Sequence, residues 1–199
     1  GLLHNGEKTQ LKASREELLA MAEISEGEGS IDQQEGDIIE NLIKLDDIPV
    51  EDVMTPRSVI FALGKENTVG EVIATHSPIA FSRIPVFDND LDNIIGIVSR
   101  YTLVTKQGED QFDVQMKDIL KPIHTVKEKV SVSDILDEFV RRRQQIFIVN
   151  DDFGTTTGLI TLEDAIETLL GVEIVDEHDH VVDMRKPAKA KMKQKEILK

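Results

Sequence analysis

The chain has 199 residues, 40% apolar and 31% charged, and its 38 acidic against 23 basic side chains leave a net charge of −15. That length can bury a sizeable core, and the lack of cysteine excludes disulfides, thiolate metal sites and cysteine nucleophiles together. The acidity argues against a nucleic-acid partner, which needs a basic footprint, and reads most plainly as a solvated exterior.

No run approaches the roughly 18 to 20 apolar residues of a membrane helix. The start, Gly1-Leu2-Leu3-His4, lacks the charged region and long apolar stretch of a signal peptide, and the missing initiator Met points to a fragment or a processed chain. In chain order, residues 14–24 read as a helix. Ser14 is its N-cap with Glu17 three residues on, and Leu18, Leu19, Met21 and Ala22 follow on one side. Glu26 to Ser30 is a turn. A second amphipathic helix over 32–45 carries Ile38, Ile39, Leu42, Ile43 and Leu45.

An internal repeat follows, and it decides the fold. Asp52-Val53-Met54-Thr55-Pro56 recurs as Asp118-Ile119-Leu120-Lys121-Pro122, 66 positions later. Thr68–Ile73 recurs as Ser131–Leu136, and Ile84-Pro85-Val86-Phe87-Asp88 as Ile146-Phe147-Ile148-Val149-Asn150. Gly96-Ile97-Val98-Ser99 recurs as Gly158-Leu159-Ile160-Thr161, an offset of 62. Each copy predicts a short strand after its proline (59–63; 124–126), a helix capped by Thr68 or Ser131, two hairpin strands (84–87 with 94–98; 146–149 with 158–160) and a helix from Ser99 or Thr161. One such unit cannot cover both faces of its small sheet, whereas two packed together can.

The sharpest local feature is Gly158-Leu159-Ile160-Thr161-Leu162-Glu163-Asp164. Thr161 with Asp164 three residues on is a capping box by spacing alone. A hydroxyl and a carboxylate at a strand-to-helix junction also suit the 2′ and 3′ hydroxyls of a ribose. Asp176-Glu177-His178-Asp179-His180 offers metal-ligand types, yet neighbouring residues on a regular element point apart, and a solvated connector is the better reading. The Lys-rich stretch 186–199 reads as a basic tail. No phosphate loop of the G-x-x-x-x-G-K-[ST] type and no nucleophile elbow occurs, so an enzyme such as a nucleotide hydrolase is disfavoured.

The two Asp-h-h-x-Pro openings, Ser82-Arg83-Ile84-Pro85-Val86 and the G-h-[ST]-x-x-[DN]-like ends resemble the CBS-domain family, whose pairs bind adenosine nucleotides. Val50–Arg57, Leu162-Glu163-Asp164 and Glu173–Asp179 resemble more narrowly the cytosolic module of the CorC/HlyC (hemolysin-C-like) and cyclin M divalent-cation transport proteins. The resemblance covers about residues 14–185. It implies an α/β (α+β) fold of tandem βαββα CBS motifs with small mixed sheets, forming one pseudo-two-fold pair. The division is then a helical linker over 1–48, motif 1 over 49–106, motif 2 over 107–172, and an acidic connector with a basic tail over 173–199.

Carried over position by position, the resemblance places a ribose on Asp164, with Thr161 nearby. It sets adenine beside Thr55 and Ile60 and phosphates at Arg83, and it counts Ile84, Pro85, Leu159 and Glu163 among the nucleotide-binding residues as well. A guanidinium suits planar, bidentate pairing to phosphate oxygens. The mirror site has Thr102 in place of Asp164 and Gln145 in place of Arg83, so Ser99, Thr102 and Gln145 should hold little, although Arg142 and Arg143 stand nearby in sequence. The resemblance thus implies ATP, ADP or AMP as ligand, with Mg²⁺ entering on the phosphates. It also implies a homodimer of stacked pairs and a membrane domain preceding the chain, which places the module on the cytoplasmic face. The rival reading is a ligand-free dimerisation scaffold.

Overall fold

The computed structural model describes residues 14–172 and 174. Helices α1 (Arg15–Gly27) and α2 (Gln33–Lys44) come first. The first repeat then supplies α3 (Val50–Val53), β1 (Thr55–Pro56), β2 (Leu63–Gly64), α4 (Val69–His76), β3 (Arg83–Phe87), β4 (Ile94–Ser99) and α5 (Arg100–Gly108). The second supplies α6 (Met116–Ile119), β5 (His124–Lys127), α7 (Val132–Arg142), β6 (Ile146–Asn150), β7 (Thr156–Thr161) and α8 (Leu162–Leu170).

Side-chain caps start most of these helices. Ser14 with Glu17, Asp32 with Glu35, and Thr68 with Glu71 form reciprocal capping boxes, each satisfying two otherwise orphan N–H groups. Helix α1 buries none of its residues and leaves Leu18, Met21 and Ile24 exposed. It lies on α2, which in turn packs on α8. Leu42, expected on the apolar side of α2, faces outward.

The strand expected over 59–63 is shorter than the pattern predicts. Arg57–Val59 forms a 3-10 turn, and within that stretch only Leu63 reaches the sheet. Pro56, at φ −67°, has no N–H to carry a ladder onward, so β1 ends there.

The strands form two small mixed sheets, in the orders β1-β7-β6-β5 and β2-β3-β4. In each, a parallel pair spans a helix (β2–β3 across α4, β5–β6 across α7) and an antiparallel hairpin follows. This is the α/β fold of tandem βαββα units. The units are interleaved rather than side by side. Strand β1 belongs to the first repeat but pairs with β7 of the second, Thr55 opposite Leu159 and Pro56 opposite Gly158. The mirror contact is a bridge between Ile97 and Lys121. At both crossings only glycine fits: a Cβ on Gly158 would lie 2.6 Å from the Thr55 carbonyl oxygen, and one on Gly96 2.6 Å from that of Lys121.

The cores follow the same exchange. One gathers Phe139, Phe147, Val149 and Ile160 of the second repeat around Val50, Val53 and Met54 of the first. The other gathers Leu63, Val72, Ile84, Val86 and Leu103 of the first repeat around Met116 of the second. Phe139 stacks on Phe147 with ring centroids 4.2 Å apart, which partly offsets the scarcity of aromatics.

Candidate functional site

Strand β7 organises the site. Its burial alternates, so Gly158 and Ile160 point into the core while Leu159 and Thr161 share the opposite, accessible face. Thr55 lies across from Leu159 on β1. Thr161 then caps α8. The Asp164 amide donates to Thr161 Oγ1 at 3.2 Å, and Asp164 Oδ2 accepts from the Thr161 amide at 2.7 Å and from its hydroxyl at 2.6 Å. The carboxylate is half-buried and fixed to the strand end by two short bonds.

Arg83 enters from the other repeat. Its Nη2 donates to the side-chain oxygen of Gln145, the residue 62 positions on and its equivalent in the repeat. The Gln145 carbonyl in turn accepts at 3.1 Å from the amide of Leu162, the first residue of α8. A guanidinium from the first repeat therefore reaches the residue that adjoins the Thr161 cap. Ile60, half-buried, closes the 3-10 turn that follows β1.

Three further expected residues differ in burial. Ile84 is fully buried in the core around Val86 and Leu103, so its side chain serves packing and only its backbone remains for a ligand. Pro85 is buried as well, paired with Ile97 across the β3–β4 hairpin. Glu163 is exposed on the first turn of α8.

In the mirror position Ser99 caps α5, with its hydroxyl 2.8 Å from that of Thr102, so a neutral pair stands where the other site has a carboxylate. Of the arginines near it, Arg142 pairs with Glu138, and Arg143 ends α7 in a left-handed conformation at φ 54°. A groove of about 550 Å³ opens between β5 and α7, lined by His124, Lys127, Asp134 and Glu138 among others, and it contains none of the candidate residues. The Asp176–His180 run and the basic tail lie outside the described residues.

A cluster at the same junction has no assigned role in the sequence reading. Arg57, in the 3-10 turn between Thr55 and Ile60, pairs through both guanidinium nitrogens with the Asp92 carboxylate in the β3–β4 turn. Its Nη1 also donates to the Thr156 carbonyl at 3.0 Å, and the Thr156 amide donates to Asp92 Oδ1 at 3.0 Å. Thr156, the first residue of β7, is only 1% exposed. The bond to Arg57 holds the Asp92 carboxyl below its usual range. The signal available in sequence was an arginine directly after the Met-Thr-Pro opening; Asp92, in a turn of several acids, gave none.

The CBS domain model matches residues 50–109 and 116–171. With its two strand-exchanged βαββα units, the chain belongs to the CBS-domain family as a tandem pair. The pair is homologous to those of the CNNM/CorC group. The magnesium and cobalt efflux protein CorC of Escherichia coli K12 is 34% identical over 171 residues, which are 86% of this chain and 58% of that protein. The CBS domain of a bacterial CNNM/CorC family Mg²⁺ transporter superposes with a TM-score of 0.77 at 34% identity, covering 83% of this chain and all of that one. The CBS domain of such a transporter in complex with ATP gives a TM-score of 0.66 at 33% identity, over 70% of this chain and 99% of that one. Among the described residues no helix is long and apolar enough to cross a membrane.

Proposed function

We propose that this CBS pair is a non-enzymatic regulatory module that senses an adenine nucleotide for a membrane protein handling Mg²⁺ or Co²⁺. The observation that carries the reading is the Thr161–Asp164 pair where β7 passes into α8, on the strand that faces Thr55 and linked through Gln145 to Arg83. In this reading Asp164 accepts the ribose hydroxyls, Thr55, Ile60 and Leu159 flank the adenine, and Arg83 turns to the phosphates. The ATP complex of a CBS domain 33% identical to this chain supports the ligand class. In this reading Mg²⁺ arrives bound to the phosphates.

The likeness to CorC and to the CBS domain of a Mg²⁺ transporter supports a parent with a membrane domain, and in this reading the module lies on its cytoplasmic face. Exposed Tyr101 and Val104 on α5 and Val140 on α7 supply apolar surface for the stacking of a second copy into a homodimer. Nucleotide biases the module only by as much as its affinities for two arrangements differ.

Calorimetry with ATP, ADP and AMP, each with and without Mg²⁺, tests the reading. One site per chain is expected, abolished by Asp164→Ala. No heat at millimolar nucleotide overturns it. The observation favouring a ligand-free scaffold is that Thr161 and Asp164 already complete a capping box. On that reading Asp164→Ala changes only stability, by about 0.5–2 kcal/mol.

A further inference from the structure

We propose that Arg57 is a positioning residue, which with Asp92 and Thr156 clamps the two repeats together and sets the affinity of the cleft beside it. The inference rests on the nucleotide reading and adds a determinant that touches no ligand. Arg57 stands between Thr55 and Ile60, the two residues set against the adenine. Its guanidinium is shared by an Asp92 carboxylate of the first repeat and a Thr156 carbonyl of the second. Asp92 closes the ring by accepting the Thr156 amide. From Thr156, β7 runs directly to Leu159 and Thr161. The clamp thus joins the strand that carries Thr55 to the strand that carries Leu159 and Thr161. Their separation is fixed before a ligand arrives, which removes an ordering cost from binding.

The asymmetry of the clamp points the same way. By the repeat offsets, Arg57 corresponds to Ile123, Asp92 to Gly154 and Thr156 to Ile94. None of these can form a charged clamp. The cleft that keeps Asp164 and faces Arg83 keeps the clamp, and the mirror cleft with Thr102 and Gln145 lacks it. A tie serving only general stability has no reason to follow the ligand residues in this way.

The test is calorimetric titration of the full chain with ATP, for wild type and for Arg57→Ala, Arg57→Lys and Asp92→Asn, with melting curves and amide exchange on the ligand-free proteins. Arg57→Ala and Asp92→Asn should weaken ATP at least tenfold at temperatures well below melting, and speed amide exchange at Thr156 and Leu159. Arg57→Lys, which keeps the charge and reaches one partner at a time, should recover part of the affinity. Unchanged affinity in both Arg57→Ala and Asp92→Asn, with only a lower melting temperature, overturns the proposal. Should Arg57→Ala not fold, the nearly isosteric Asp92→Asn decides alone. If wild type itself binds no nucleotide, the nucleotide reading fails and this inference fails with it. If wild type binds and Asp164→Ala does not, the reading stands whatever the clamp variants show.

Discussion

Arg83 and Gln145, which occupy the same place in the two repeats, hydrogen-bond to each other across the pseudo-two-fold axis. Two arginines at such a position would set two cations against one another. The pair instead combines a donor-only guanidinium with an amide whose oxygen accepts. Departure from symmetry therefore lets the axis satisfy itself and leaves a cation available to an anionic ligand. Gln145→Glu should turn this contact into an ion pair that competes with phosphate. ATP affinity is then expected to fall by about tenfold, in the range of a charged hydrogen bond. Adenosine, which has no phosphate, should bind as before; equal losses for both ligands would sink the assignment of Arg83.

The two glycines at the strand crossings should separate fold from function. Gly158→Ala and Gly96→Ala each force a Cβ against a backbone carbonyl 2.6 Å away, so both should destabilise, by about 1–3 kcal/mol in the range of overpacking. Only Gly158 faces the strand that carries Thr55. Gly158→Ala should therefore also weaken nucleotide binding, while Gly96→Ala leaves affinity close to wild type. Denaturant unfolding with calorimetry checks both, and equal losses of affinity would refute the assignment of the ligand to one cleft.

His124 should make stability depend on pH near neutrality. It begins β5 with its ring edge on Phe147, centroids 5.3 Å apart. Burial chiefly, and the nearby Arg142 charge secondarily, hold its pKa below the ordinary 6.5. A folded-state pKa below the unfolded one means that protonation favours the unfolded chain. Stability contributed by the neutral ring is full above pH 6.5 and is lost as pH falls through the lower, folded value. Urea unfolding of His124→Gln and wild type between about pH 5 and 7.5 should show the variant with the flatter profile. Parallel profiles would contradict it.

Restoring the mirror carboxylate tests how much of the lost site is chemistry. Thr102→Asp should form with Ser99 the same cap-and-carboxylate pair that Thr161 forms with Asp164. By itself it should add only weak binding, because Gln145 offers no cation there. A second site as strong as the first would show that the ribose carboxylate outweighs both Arg83 and the Arg57 clamp.

What the sequence made legible follows from what its pattern encodes. The repeat and the hairpin strands were readable because Ile and Val runs bounded by Asp, Asn and Gly encode local geometry. The Thr161 cap was readable for the same reason, being a contact over three residues. Residues 59–63 misled because Val59-Ile60-Phe61-Ala62-Leu63 looks like a strand, while Pro56 and the turn after it spend most of that stretch away from the sheet. Ile84 joins the nucleotide-binding residues through the motif it shares with Arg83, while strand alternation turns the two side chains to opposite faces. The Arg57–Asp92–Thr156 clamp was out of reach, because its members are joined by the β1–β7 exchange rather than by spacing along the chain.

That exchange has a further consequence. With Val50, Val53 and Met54 sunk in the core of the second repeat and Met116 in that of the first, neither half owns a complete interior. The halves cannot swing apart like the leaves of a hinge without uncovering both interiors, so any signal they pass is limited to small sliding or twisting of one half against the other. For the same reason either half made alone should be unstable, and the two made as separate chains should find each other and fold as one.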